Sequence, residues 1–201
     1  MPTTIIEQPD RPVPLEPRRK QWTRKEYHAF EDTDPWNQQR WELIEGELIN
    51  KMGKNRPHVN GLTFVLAWLT RVFGQPFVNP EAPIDVAPED DPTSEPEPDI
   101  IVLKRPSWEF QTGNPQPRDL HLVVEIADTT LGFDLTTKAA LYARADIQEY
   151  WVLDVAQRRM VVHRDPAAGR YQSIQLFNED ERITPLAAPD HAFLVADAFP
   201  S

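Results

Sequence analysis

The stretch Leu120-His121-Leu122-Val123-Val124-Glu125-Ile126 constrains this chain more than any other. An apolar, β-branched run of this kind reads as a central strand buried on both faces. His121 is a polar exception near its start. Glu125 is a carboxylate where only apolar side chains would otherwise stand. A buried carboxylate is costly without a partner, so the fold must bring one to Glu125: a cation, or a basic side chain such as Lys138.

The flanking segments fit one α/β domain. Thr23 and Glu26 have capping-box spacing ahead of a helix over residues 24–31. From Trp41 to Ile49 two Glu-Leu-Ile tripeptides flank Glu45-Gly46, a hairpin signal. Alternation along its strands puts Glu42, Ile44, Glu47 and Ile49 on one face, Leu43 and Leu48 on the other. Asn55 and Pro57 open a helix that reaches Phe73 and is ended by Gly74; Val59, Leu62, Leu66, Leu69 and Phe73 are its expected buried stripe. A strand over residues 77–87, an acidic loop over 88–97 and a strand over 100–104 lead to the central run. A helix over 134–144 follows, then strands at 149–153, 160–163 and 171–176. A closing segment over 190–201 carries Phe193, Leu194, Val195 and Phe199. Trp41, Trp68 and Trp151 are expected in the core. Residues 22–201 thus form the domain, preceded by a mobile proline-rich arm over 1–21 that ends near the basic triplet Arg18-Arg19-Lys20.

Composition narrows the chemistry. The chain has 201 residues, 40% of them hydrophobic, which suits one domain with a real core. It has no cysteine, so any metal is held by oxygen or imidazole, a preference that favours magnesium or manganese. No apolar run approaches bilayer-spanning length, and the expectation is a soluble, cytoplasmic protein without membrane contact. The net charge of −11 counts against a broad basic surface for nucleic acid.

Asp99 follows Pro98 where the acidic loop enters a strand, Glu125 lies near the end of the central strand, and Lys138 stands on the helix after it. Two carboxylates at neighbouring strand ends suit a divalent cation, and a lysine beside them suits an attacking water or a phosphate. Glu42 is the first choice for a third carboxylate, with Glu47 as its rival; Glu45 reads as turn chemistry. His58, Asp134 and Tyr142 stand at the periphery. Each has a plainer reading: an Asx-turn for Asp99, a surface ion pair with Asp134 for Lys138, capping or packing for His58, core packing for Tyr142. The acidic loop reads as solvated, and its charge as a restriction on phosphate near the site.

In order, Glu-Leu-Ile-Glu-Gly-Glu-Leu (residues 42–48), His58 at a helix start, Pro98-Asp99 and Val-Val-Glu-Ile (123–126) resemble the Uma-two family of the PD-(D/E)XK superfamily. Asp128-Thr129-Thr130, then Asp134, Lys138 and Tyr142, then Glu149-Tyr150-Trp151-Val152-Leu153-Asp154 continue the likeness, which spans Thr23 to Tyr171. The resemblance implies a restriction-endonuclease-like fold with a mixed central sheet flanked by helices. It implies a magnesium- or manganese-dependent endonuclease acting on nucleic acid, DNA first, with Asp99 and Glu125 as metal ligands, and it allows a homodimer. The superfamily's usual lysine lies two residues past the second acid, where this chain has Ala127; the resemblance gives its role to Lys138. The alternative is a non-enzymatic interaction or regulatory module on the same fold, which the net acidity favours.

Overall fold

The computed structural model describes residues 19–31, 41–51 and 55–199. The expected proline-rich arm lies outside the described residues apart from Arg19, Lys20 and Gln21.

Elements follow the order α1 (Arg24–Glu31), β1 (Trp41–Ile44), β2 (Glu47–Asn50), α2 (Arg56–Phe73), β3 (Val78–Pro80), β4 (Ile100–Leu103) and β5 (Leu120–Ala127). Then α3 (Leu131–Phe133), a π-helical turn (Asp134–Lys138) and α4 (Ala139–Arg144) run on without a break. The strands β6 (Glu149–Asp154), β7 (Arg159–Ala167), β8 (Arg170–Phe177), β9 (Arg182–Ile183) and β10 (Phe193–Leu194) complete the chain. The main sheet has the order β3-β4-β5-β6-β7-β8, and it is mixed: β5 and β6 are parallel, the other neighbours antiparallel. The helical stretch from Leu131 to Arg144 is the crossover that a parallel β5–β6 pair requires.

Alternation along β5 divides the core between the two sheet faces. Leu122, Val124 and Ile126 pack with Val65, Trp68 and Leu69 of α2 and with Trp151 and Leu153 of β6. Val123 and Ala127 pack on the other side, with Ala139, Leu141 and Tyr142 of α4 and with Tyr150 and Val152. Glu125 has the parity of Val123, so it faces the helix that carries Lys138. Helices on both faces of a largely buried sheet are the architecture that the resemblance implied.

Local chemistry sets the element ends. Thr23 Oγ1 accepts from Glu26 N, and Thr23 N donates to the Glu26 carboxylate, the two halves of the capping box. Glu45 (φ 50°) and Gly46 (φ 80°) both take positive φ in the β1–β2 turn, the hairpin geometry in which glycine costs least. Asn55 caps α2 by accepting from His58 N, and Gly74 (φ 90°) ends it.

Four expectations are corrected. The strand expected over 77–87 is only Val78–Pro80, because Pro80, Pro83 and Pro88 cannot donate to a ladder. The buried stripe of α2 is Gly61, Val65, Trp68 and Leu69; Val59, Leu62, Leu66 and Phe73 are half-buried. The helix comes closest to the sheet at Gly61, where a Cβ would stand 2.9 Å from Leu153 Cδ2 and 3.2 Å from Ile126 Cγ2. That close approach rotates the buried face. Trp68 and Trp151 are in the core, but Trp41 is half-buried.

The acidic loop is solvated only in part: Pro88, Glu89 and Pro92 are exposed, but Ser94, Glu95 and Pro96 are buried. Arg24 reaches Asp85, Asp91 and Glu95 at 3.2, 2.6 and 2.6 Å, and Arg144 reaches Asp90 at 2.7 Å. Backbone bonds from Glu95 to Leu43 and from Gly46 to Thr93, each 2.7 Å, fasten the loop to the β1–β2 hairpin. Its charge, Glu89 apart, is therefore spent on docking. The closing segment packs against α2 and the sheet through Phe193 and Val195, with Ala198 buried beside them, while Leu194 and Phe199 are half-buried. No helix among the described residues is long and apolar enough to cross a membrane.

Candidate active site

Strand register delivers the first carboxylate pair. Ile100 pairs with Val124, so Asp99, the residue just before the antiparallel β4, arrives beside Glu125. Ile126 N donates to Asp99 Oδ2 at 2.8 Å, and Asp99 N points to Glu125 Oε2 at 3.4 Å. His58, in the first turn of α2, places Nε2 3.3 Å from the same Asp99 oxygen.

Lys138 enters from the π-helical turn. Ala139 N bonds back to Asp134 O, five residues earlier, and this widened turn buries both Asp134 and Lys138. Such bulges recur at functional sites because they turn side chains away from the regular helical course. Lys138 Nζ lies 2.8 Å from Glu125 Oε1 and 2.9 Å from Glu42 Oε1. Tyr142 O–H donates to Glu125 Oε1 at 3.1 Å. Glu97 N, at the end of the acidic loop, donates to Glu42 Oε2 at 3.2 Å, so the docked loop holds the third carboxylate in place.

Glu42, Asp99, Glu125, Asp134 and Lys138 are each 3–4% exposed, yet all five line a cavity of about 250 Å³. The sequence left Glu42 and Glu47 as rivals; Glu42 joins the cluster, and Glu47 is exposed on β2. Lys138 pairs with Glu42 and Glu125, while Asp134 accepts from Thr130 Oγ1 at 2.6 Å. His58 and Tyr142 both touch a carboxylate of the cluster. Lys51, Asn55, Asp128, Thr129, Thr130 and Phe133 also line the cavity. Of these, only Asp128-Thr129-Thr130 carried a signal, as part of a family pattern. Lys51 follows an unremarkable strand and had none.

Burial dominates the electrostatics. It raises Glu125 to about 8, against the pull of Lys138 and with the added repulsion of Asp99, Asp134 and Glu42. Asp134 is raised for the same first reason, with Lys138 and the Thr130 hydroxyl opposing. Burial also pushes Asp99 up, but the bond and charge of His58, the charge of Lys51 and the Ile126 N–H outweigh it and hold Asp99 at about 2. Lys138 is held well above its usual value: burial opposes, and Glu125, Glu42 and Asp134 prevail. The cluster is short of positive charge.

Hard oxygen donors short of positive charge fit a divalent cation of the magnesium class, which takes one or two carboxylates and keeps waters for the rest. Asp99 Oδ1 receives no hydrogen bond among the described residues, its partner oxygen taking both Ile126 N and His58. Among the described residues no three His, Asp or Glu side chains converge as a ready cage, since Glu42 and Glu125 turn an oxygen each to Lys138. The carboxylates that could serve as donors are thus a pair, Asp99 and Glu125, with Glu42 in reserve.

A family model, Uma2, described as "Putative restriction endonuclease", matches residues 24–196, beyond the Tyr171 limit that the motifs suggested. Among solved structures, the fold matches a protein of Anabaena variabilis ATCC 29413 described as "a putative nuclease belonging to DUF820". The TM-score is 0.68 and the identity 18%, over 89% of this chain and 97% of that one. At that identity the likeness speaks for the fold. No curated protein matches.

Proposed function

This chain belongs to the Uma2 family, and from that premise we propose that it is a divalent-metal-dependent endonuclease that hydrolyses phosphodiester bonds of DNA. The observation that carries this reading is the meeting of Glu42, Asp99 and Glu125, from three separate chain segments, at one cavity, with the buried Lys138 between Glu42 and Glu125. Magnesium or manganese is the expected ion. Asp99 and Glu125 would hold it, with Glu42 assisting directly or through water.

The chemistry that such a cation supplies when bound is charge neutralisation at the phosphate and a lowered pKa for its water. The protein's own part follows from the contacts. Lys138 keeps its proton, because three carboxylates stabilise it. It therefore acts as a fixed cation and donor, orienting the attacking water and stabilising negative charge that develops on the phosphate oxygens. Tyr142 O–H holds Glu125 Oε1, and His58 with Ile126 N–H holds Asp99 Oδ2. The carboxylates thus meet their ligand already oriented, which is what positioning contributes to catalysis.

The test incubates purified protein with supercoiled plasmid and with single-stranded DNA, in magnesium, manganese or EDTA, beside Asp99→Ala and Lys138→Ala. Metal-dependent nicking that both substitutions abolish is the expected result. Nicking retained by Lys138→Ala removes Lys138 from the mechanism. No cleavage of either substrate favours the second reading, a non-enzymatic interaction module, for which the net charge of −11 speaks.

A further inference from the structure

α2 stands apart from the rest of an acidic chain. None of the 32 Asp and Glu residues falls among its 18 residues, not even in the first turn, where the helix dipole favours a carboxylate. It carries two arginines, Arg56 and Arg71. Both are exposed, and neither has an ion pair among the described residues.

The two arginines share a face. At 3.6 residues per turn, Arg56, Asn60, Thr63, Phe64, Ala67 and Arg71 fall within about 100° of one another. They lie opposite the buried Gly61, Val65, Trp68 and Leu69. Asn60 is half-buried and the other five are exposed, Phe64 by 40%. The result is a solvent face about 22 Å long, with a cation at each end and neutral side chains between.

This face begins at the candidate site. Asn55, which caps α2, and His58 in its first turn both line the cavity. The other walls are acidic: the β1–β2 hairpin carries Glu42, Glu45 and Glu47, and the segment after β5 carries Asp128 and Asp134. Asp128 also comes to the start of α2, where the Asn55 amide donates to it. A chain of net charge −11 repels a polyanion. Phosphate therefore meets the carboxylate cluster at least cost from the side that adds no negative charge, and that side is α2.

We propose that the outer face of α2 binds the phosphodiester backbone of DNA and leads it to the carboxylate cluster. Arg56 and Arg71 each take a phosphate, and Asn60 offers its amide between them. Contacts of this kind position a duplex without reading its sequence. Phosphates of one strand advance about 3.4 Å along the axis of B-DNA, so the two arginines span about six base-pair steps. The choice of DNA as the ligand rests on the nuclease reading; the charge and shape of the face do not.

The test measures binding apart from cleavage. Affinity for a short fluorescent duplex is followed by anisotropy across about 50–200 mM salt, with calcium in place of magnesium. Each phosphate contact contributes about 0.9 to the slope of log affinity against log salt. Arg56→Gln and Arg71→Gln are each expected to reduce the slope by about that amount. Arg170→Gln and Arg182→Gln, exposed cations on β8 and β9, are expected to leave it unchanged. Equal effects of all four substitutions, unchanged slopes in the α2 variants, or a wild type that does not bind the duplex overturns the proposal. Unchanged slopes beside a doubled chain mass that Phe64→Asp returns to the single-chain value would give the face to a second copy instead. Plasmid nicking is read separately. Nicking with unchanged slopes removes α2 and keeps the nuclease; α2-dependent binding without nicking keeps the face and removes the nuclease.

Discussion

Lys138 Nζ lies 2.8 Å from Glu125 Oε1, and both side chains are almost wholly removed from solvent. One ammonium thus answers for a carboxylate near the end of the central strand, and for Glu42 at 2.9 Å as well. Without it the two carboxylates would face each other in the protein interior.

That relationship sets the first prediction. Lys138→Met removes the charge and keeps most of the volume, and breaking a buried pair this way costs about 3–5 kcal/mol. Urea unfolding in EDTA at pH 9, where Glu125 is ionised, is expected to show a loss of that order, and magnesium is expected to recover part of it by taking the place of the lost charge. An equal loss in EDTA and in magnesium would mean that the carboxylates take no cation.

Glu125 itself predicts a pH dependence. Its folded value is raised from 4.5 to about 8, chiefly by burial. Between those values the folded protein keeps a proton that the unfolded chain has released, so this group's contribution is complete below 4.5 and lost as pH climbs through 8. Metal-free wild type should therefore lose thermal stability across that window relative to Glu125→Gln, which stays neutral throughout. Parallel melting curves for the two proteins would count against the assignment.

His163 predicts the opposite slope at acid pH. Its ring lies between Tyr150 and Tyr171, at 5.2 and 5.5 Å between centroids, and its buried Nδ1 has no partner. Burial lowers it below 6.5, against a bond involving the Tyr150 backbone. A group depressed in this way contributes stability above 6.5 that is lost as pH falls through its folded value. His163→Phe keeps a ring in the stack and removes the titration, so its acid unfolding limb should be shallower than that of the wild type. Denaturant midpoints measured on either side of the unperturbed value settle it; coincident limbs would refute the idea.

Gly61 predicts a packing cost. Alanine is better than glycine in a helix by about 1 kcal/mol. Overpacking, here against Leu153 at 2.9 Å and Ile126 at 3.2 Å, typically costs about 1–3 kcal/mol. Gly61→Ala is therefore expected to destabilise the protein by up to about 2 kcal/mol in urea unfolding. A more stable variant would show that α2 can back away from the sheet freely.

Residue pattern alone determined the α/β class, the buried central strand, the hairpin with its turn at Glu45-Gly46, and the caps of α1 and α2. Those rest on local rules: side-chain alternation, capping hydrogen bonds and the φ that glycine permits. Other properties depended on residues far apart in the chain. The choice of Glu42 over Glu47 was made by the acidic loop, which Arg24 and Arg144 pull against the hairpin and whose Glu97 N–H holds the Glu42 carboxylate. The partner of Lys138 was decided by a π-helical turn that no period in the sequence announces. The buried face of α2 was set by how closely Gly61 approaches Leu153. A sequence lists which charges must be buried; only the docking of loop, helix and strand decides which of them meet, because that depends on register and contact distance between segments whose local structure is the same either way.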